Sequence, residues 1–97
     1  MYQFYFIKDI QKQVAVKNKK EIVNKMRQHE WKGKSTNSDY MHVFVTRCKK
    51  IDLKIRFQDE EEFIHDLVLN GLIEKVNVFS YVIHVLRTNI RLNQTVH

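Results

Sequence analysis

Residues 40–57 read YMHVFVTRCKKIDLKIRF, and the period assigned to them decides the fold. In the second half, Ile51, Leu53, Ile55 and Phe57 alternate with Asp52, Lys54 and Arg56, the period-2 pattern of a half-buried strand. In the first half, Met41, Val43 and Val45 alternate with His42, Phe44 and Thr46. Residues 40–47 are also rich in the β-branched and aromatic side chains that suit a pleated surface. The short link Cys48-Lys49-Lys50 then predicts a hairpin of the two runs, although the usual Asn-Gly turn is missing.

The segments on either side fit around that hairpin. Residues 1–8 form a strand dense in Tyr2, Phe4, Tyr5 and Phe6, apolar on both faces as a central strand would be. Residues 18–31 form a helix: Asn18 and Glu21 have capping-box spacing, and Ile22, Val23 and Met26 supply an apolar stripe. Residues 59–70 repeat the arrangement, with Asp59 and Glu62 as the box and Phe63, Leu67 and Val68 as the stripe. Glu60 and Glu61 lie where the helix dipole favours negative charge, and Gly71 occupies the left-handed position past the helix end. Residues 76–86 read as a final strand, or two short ones broken near Ser80. Residues 87–97 read as a tail, which leaves one domain over residues 1–86.

The order βαββαβ predicts an α+β, ferredoxin-like fold, with two helices on one face of a four-stranded antiparallel sheet. Leu53, Ile55, Phe63, Leu67 and Val68 are its expected core. Two other readings bear on this order. Residues 9–17 are long for a strand-to-helix connection, and Val14 and Val16 alternate as an extra hairpin strand would. Residues 67–74, LVLNGLIE, followed by two β runs, fit a winged helix, but that fold needs a third helix which the pattern does not supply. The strand ending in Asp9, set in a small βαββαβ order, resembles the small nuclease-like subunits of CRISPR adaptation. The likeness covers that strand and that order alone; the segment that follows differs, and no nuclease activity is carried over.

Composition narrows the function classes. Ninety-seven residues hold one core, and a single cysteine excludes an internal disulfide framework and a thiolate zinc site. No apolar run approaches the ~18 residues of a membrane span. Residues 1–7 lack the basic start and cleavage site of a signal peptide, so a cytoplasmic protein is expected. The net charge of +6 is unevenly placed: residues 1–50 hold twelve Lys/Arg against four Asp/Glu, residues 51–97 five against seven. Such a basic half concentrates polyanions at its surface, though the same lysines also serve solubility.

Two surfaces are candidates for binding. The densest cationic run is Lys17, Lys19, Lys20, Lys25, Arg27, Lys32 and Lys34, suited to phosphate contacts that do not read sequence. Trp31 beside it either stacks on a base or, more commonly for such a residue, closes the end of the core. The second surface is the sheet face opposite the helices, where Lys54 and Arg56 would project beside Phe44 and either Tyr5 or the Tyr2, Phe4 and Phe6 set. Rings for stacking next to cations for phosphates suit single-stranded nucleic acid, and a second subunit could cover the same face in a homodimer. The third predicted strand lacks the Gly-aromatic pattern of the RNA-recognition module.

No catalytic or metal spacing is present. His29, His42, His65, His84 and His97 are scattered, and the acidic run at residues 60–62 is explained by the helix dipole. Cys48 lies among Arg47, Lys49 and Lys50, a setting that lowers a thiol pKa if the charges converge. The expectation is a small basic, non-enzymatic protein that binds nucleic acid through its lysine-rich half, without cofactor or metal. The alternative is a protein-interaction module, an inhibitor or regulator of the kind phages and plasmids encode, aimed at an acidic protein surface.

Overall fold

A computed structural model describes the backbone of residues 1–31 and 35–95, and the side chains of those residues as far as 87. The elements are β1 (Gln3–Ile7), β2 (Lys12–Val16), α1 (Lys19–Glu30), α2 (Asn37–Lys49), α3 (Glu60–Leu69), β3 (Ile73–Val76) and α4 (Val78–Thr95). The strands form one antiparallel sheet in the order β2-β1-β3, with Tyr5 opposite Val14 on one side and Lys75 on the other. The fold is α+β, but the order is ββαααβα. The sheet therefore has three strands rather than the four of a ferredoxin-like fold, and the element order shared with the CRISPR subunits and the winged-helix order are both absent.

Alternation along the sheet sorts its two faces. Tyr5, Ile7, Val14, Val16 and Ile73 are buried on the inner face. Above them pack Ile22, Val23 and Met26 of α1, Tyr40, Met41, Phe44 and Val45 of α2, and Phe63, Ile64 and Leu67 of α3. Of the expected core, Ile55, Phe63 and Leu67 are buried, while Leu53 and Val68 are half-buried at its edge. On the outer face, Phe4 meets Tyr81 of α4 at a ring-centroid distance of 4.6 Å.

The two helices expected from capping boxes are present, and their caps are formed. Asn18 Oδ1 accepts from the Glu21 N–H at 3.0 Å, and Asp59 Oδ1 from the Glu62 N–H at 2.8 Å. Gly71, at φ +74°, ends α3 as expected. Its N–H donates to the Val68 carbonyl and that of Leu72 to the Leu67 carbonyl, the paired bonds of a Schellman motif.

Three segments depart from the sequence reading. Residues 40–47 are helical, not a strand. Tyr40, Met41, Phe44, Val45 and Cys48 recur at helical spacing and are all buried, whereas Val43, which alternation placed with Met41 and Val45, is exposed. Thr36 starts this helix as its N-cap, its side chain accepting from the Asp39 N–H at 3.1 Å. Residues 51 and 52 form the turn that ends α2, with Asp52 at φ 63°, and residues 53–57 join no ladder, because α2 leaves them no neighbouring strand. Ile51 is 68% exposed and Ile55 5%. The Asp66 carboxylate stands in for a sheet partner by accepting from the Arg56 N–H at 2.9 Å. Residues 76–86 are not a final strand either. β3 ends at Val76, Asn77 Oδ1 accepts from the Ser80 N–H at 2.7 Å as an N-cap does, and α4 runs to Thr95, through much of the expected tail. The third strand comes instead from residues 12–16, within the segment whose alternation suggested an extra hairpin strand.

Candidate nucleic-acid interface

The sheet order makes β2 an edge strand, and α1 returns alongside it after a two-residue link. Between them lies a groove of about 700 Å³ lined by Ile10, Lys12, Val14, Lys25, Gln28 and His29. Lys12 is brought there by the alternation that buries Val14 and Val16. Lys25, Gln28 and His29 share one helix face by their i, i+3, i+4 spacing. Among the described residues, no acidic side chain lines the groove. Its floor is Ile10 and Val14, and its rim is two lysines, an amide and an imidazole. At the other end of β2, Lys17 lies 5.6 Å from the centroid of the exposed Tyr2 ring, and exposed Lys20 stands in the first turn of α1. The strand spans ~17 Å, so cations stand at both ends of one edge.

The expected basic run is only partly available. Lys19 Nζ is 3.0 Å from Glu61 Oε1, and Arg27 Nε donates to Asn37 Oδ1 at 2.8 Å. Arg56 is engaged within the fold: Nε and Nη2 donate to the two Asp66 oxygens at 3.0 and 2.9 Å, and Nη1 approaches Glu62 at 3.4 Å. Lys17, Lys20, Lys25 and Lys54 are exposed, Lys54 on the segment between α2 and α3 rather than on a sheet face. Lys32 and Lys34 lie outside the described residues.

The expected stacking platform is not formed. Tyr5 is buried on the inner face, because β1 directs its odd-numbered residues toward the helices. Phe44 is inside because residues 40–47 are helical, and it packs edge-on to Phe63 at 5.4 Å. Trp31 is half-buried, edge-on to Tyr40 at 5.5 Å, at the end of the core. Lys12, Gln28 and His29 were missed by the sequence reading. The signal for Lys12 was its register with Val14 and Val16; for the other two it was their spacing from Lys25.

A second polar cluster joins the β1–β2 turn to the end of α1 and to α2. Glu30 Oε2 accepts from Arg47 Nη2 at 3.1 Å. Burial pushes the Glu30 carboxyl above its ordinary pKa, and the adjacent Asp9 carboxyl adds to the rise. Burial and the Glu30 charge push the Tyr40 phenol up as well. Burial likewise raises the Cys48 thiol against the lowering pull of Arg47, so its cationic sequence neighbours do not activate it. A thiol shifted that way is a poor nucleophile at neutral pH. At the far side of α3, the Arg56 hydrogen bonds hold the Asp66 carboxyl down to about 2. Among the described residues no group of three His, Cys, Asp or Glu is placed to hold a metal ion, and no helix is long and apolar enough to cross a membrane. No protein-family model, no curated protein and no solved structure matches this chain.

Proposed function

We propose that the chain is a non-enzymatic binding protein that holds single-stranded nucleic acid by its phosphates along the edge formed by β2 and α1. The observation that carries this reading is the groove itself: Lys12, Lys25 and His29 converge on it, and among the described residues no carboxylate lines it. Exposed Lys17 and Lys20 extend the cationic edge past the other end of β2. The narrow strip of apolar floor accommodates the edge of a base. With Tyr5 and Phe44 inside, base stacking does not dominate, so contacts are to the backbone and read no sequence. Binding then weakens steeply with salt, because each neutralised phosphate releases a counterion.

The test is a fluorescence-anisotropy titration of labelled single-stranded DNA, RNA and duplex DNA at several salt concentrations. The expected result is sequence-tolerant binding of the single strands. Replacing both Lys12 and Lys25 with Gln should reduce the slope of the salt dependence by about one for each lysine–phosphate pair removed. Folding should be nearly unaffected, since exposed substitutions usually change stability by less than ~0.5 kcal/mol. No binding at tens of micromolar protein, a range in which non-specific binders still register, would remove this reading. The same exposed lysines would then point to an acidic protein surface.

A further inference from the structure

β2 is an edge strand, and the register of the sheet shows which of its backbone groups face outward. Lys8, one residue past β1, donates its N–H to the Leu72 carbonyl at 3.2 Å, in line with the pairs Phe4–Val76 and Phe6–Glu74. In an antiparallel ladder the N–H and C=O of one residue point to the same side. Even-numbered residues of β1 therefore bond toward β3 and odd-numbered ones toward β2. Their partners Lys12, Val14 and Val16 are used by that ladder, while Gln13 and Ala15 turn their N–H and C=O groups away from the sheet. Lys17 has the same parity and agrees: its N–H donates to Glu21 Oε2 at 2.9 Å rather than to β1. Among the described residues no backbone group bonds to Gln13 or Ala15 from the outer side, and both residues are half-exposed. The open edge is thus two residues long. It borders the groove that Lys12 and Lys25 flank, with exposed Lys17 and Lys20 past its far end.

We propose that the outward main chain of Gln13 and Ala15 pairs with the Watson–Crick edges of two consecutive unpaired bases, so that the groove selects single strands over duplexes. The proposal rests on the nucleic-acid reading above and adds what phosphate contacts cannot supply, since a duplex offers phosphates as well. Each of the two residues sets a donor beside an acceptor. Every base does the same on its Watson–Crick edge, which is open to protein groups in a single strand and occupied in a duplex. The contact therefore demands an unpaired base without naming it, in keeping with sequence-tolerant binding. Spacing agrees. Gln13 and Ala15 are ~7 Å apart along the strand, roughly twice the ~3.4 Å rise of a stacked strand. Bases that meet both residues are unstacked, as a single strand allows. A peptide strand is a poorer occupant, because two residues are short of the usual ladder of about five. A second copy of this edge would bring its own lysines against Lys12, Lys17, Lys20 and Lys25.

The experiment is an anisotropy titration of the full chain with two thymine strands of equal length and charge, one of them methylated at N3 of every base. The methyl group removes the donor of the pairing edge and keeps the ring and the phosphates. The expected result is binding about tenfold weaker for the methylated strand, the factor carried by one or two net hydrogen bonds, with the salt slope unchanged. Equal affinity overturns the proposal and leaves the phosphate contacts standing, whereas no binding of either strand removes it together with the nucleic-acid reading. Ala15→Pro deletes one outward N–H and spares the ladder to β1, the place where an edge strand tolerates proline. It should weaken binding of the unmethylated strand severalfold without changing the salt slope; unchanged affinity in a folded variant overturns the proposal. Amide exchange needs no variant. The Gln13 and Ala15 N–H groups should exchange fast in the free chain and slowly once the unmethylated strand is bound. Exchange that stays fast in the complex overturns the proposal, and so does slowing by an acidic peptide but not by the strand, which would assign the edge to a partner protein.

Discussion

The two faces of the sheet are built from alternate residues of the same strands, yet they are covered very differently. On the inner face, Ile7, Val16 and Ile73 are enclosed by three helices, and Phe63, Ile64 and Leu67 above them have no exposed surface. On the outer face, Phe4 and Phe6 are half-buried, and the one helix that reaches them leaves most of its own apolar side in solvent. Burial of apolar surface is what stabilises a fold of this size. The inner face therefore specifies the structure, and the outer face leaves apolar side chains of α4 in solvent.

The largest expected effect breaks the comparison if it fails. Leu67→Ala, on the enclosed side, should cost ~2–5 kcal/mol in urea unfolding, the range for a large-to-small core change. A loss under ~1 kcal/mol would mean that the helical side is loosely packed.

A smaller loss is expected for Asp66→Asn, which weakens the clasp holding residues 53–57 to α3 through the Arg56 N–H and guanidinium. Its signature is in the pH profile. The folded Asp66 pKa of about 2 lies below the ordinary value, so its contribution is full above ~4 and disappears as pH falls toward 2. The Asn variant should flatten the acid limb of the stability curve in that window. Glu30 has the opposite sign: with its folded pKa raised, its contribution is full below its ordinary value and is lost as pH rises through the raised one. Glu30→Gln should therefore leave the acid limb steep.

The smallest effect sharpens the contrast from the other side. Tyr81→Ala removes the ring that anchors α4 to Phe4 and should cost about 1 kcal/mol, the scale of one aromatic pair. Amide exchange should then quicken along α4 but not along α1 or α3. Equal quickening in all three helices would show that the two faces unfold as one.

What could be read from the chain alone was what local chemistry settles. Asn18 with Glu21, Asp59 with Glu62, and Gly71 each satisfy backbone groups within a few residues, and these helix boundaries match the fold closely. β1 was equally plain, because its apolar run admits little else. Residues 40–47 and 76–86 instead carry side chains that fit both periods, with β-branched residues set on amphipathic helical stripes. Which period prevails depends on the surface waiting for it, and tertiary packing overrides propensity. Tyr40, Met41, Phe44 and Val45 go to a helix because together they close the inner core; had they been a strand, residues 51–57 would have had a partner and Asp66 no backbone N–H to hold. The groove between β2 and α1 follows from the same choice. Lys12 and Lys25 are thirteen positions apart in sequence, and only the return of α1 along an edge strand brings their charges to one site.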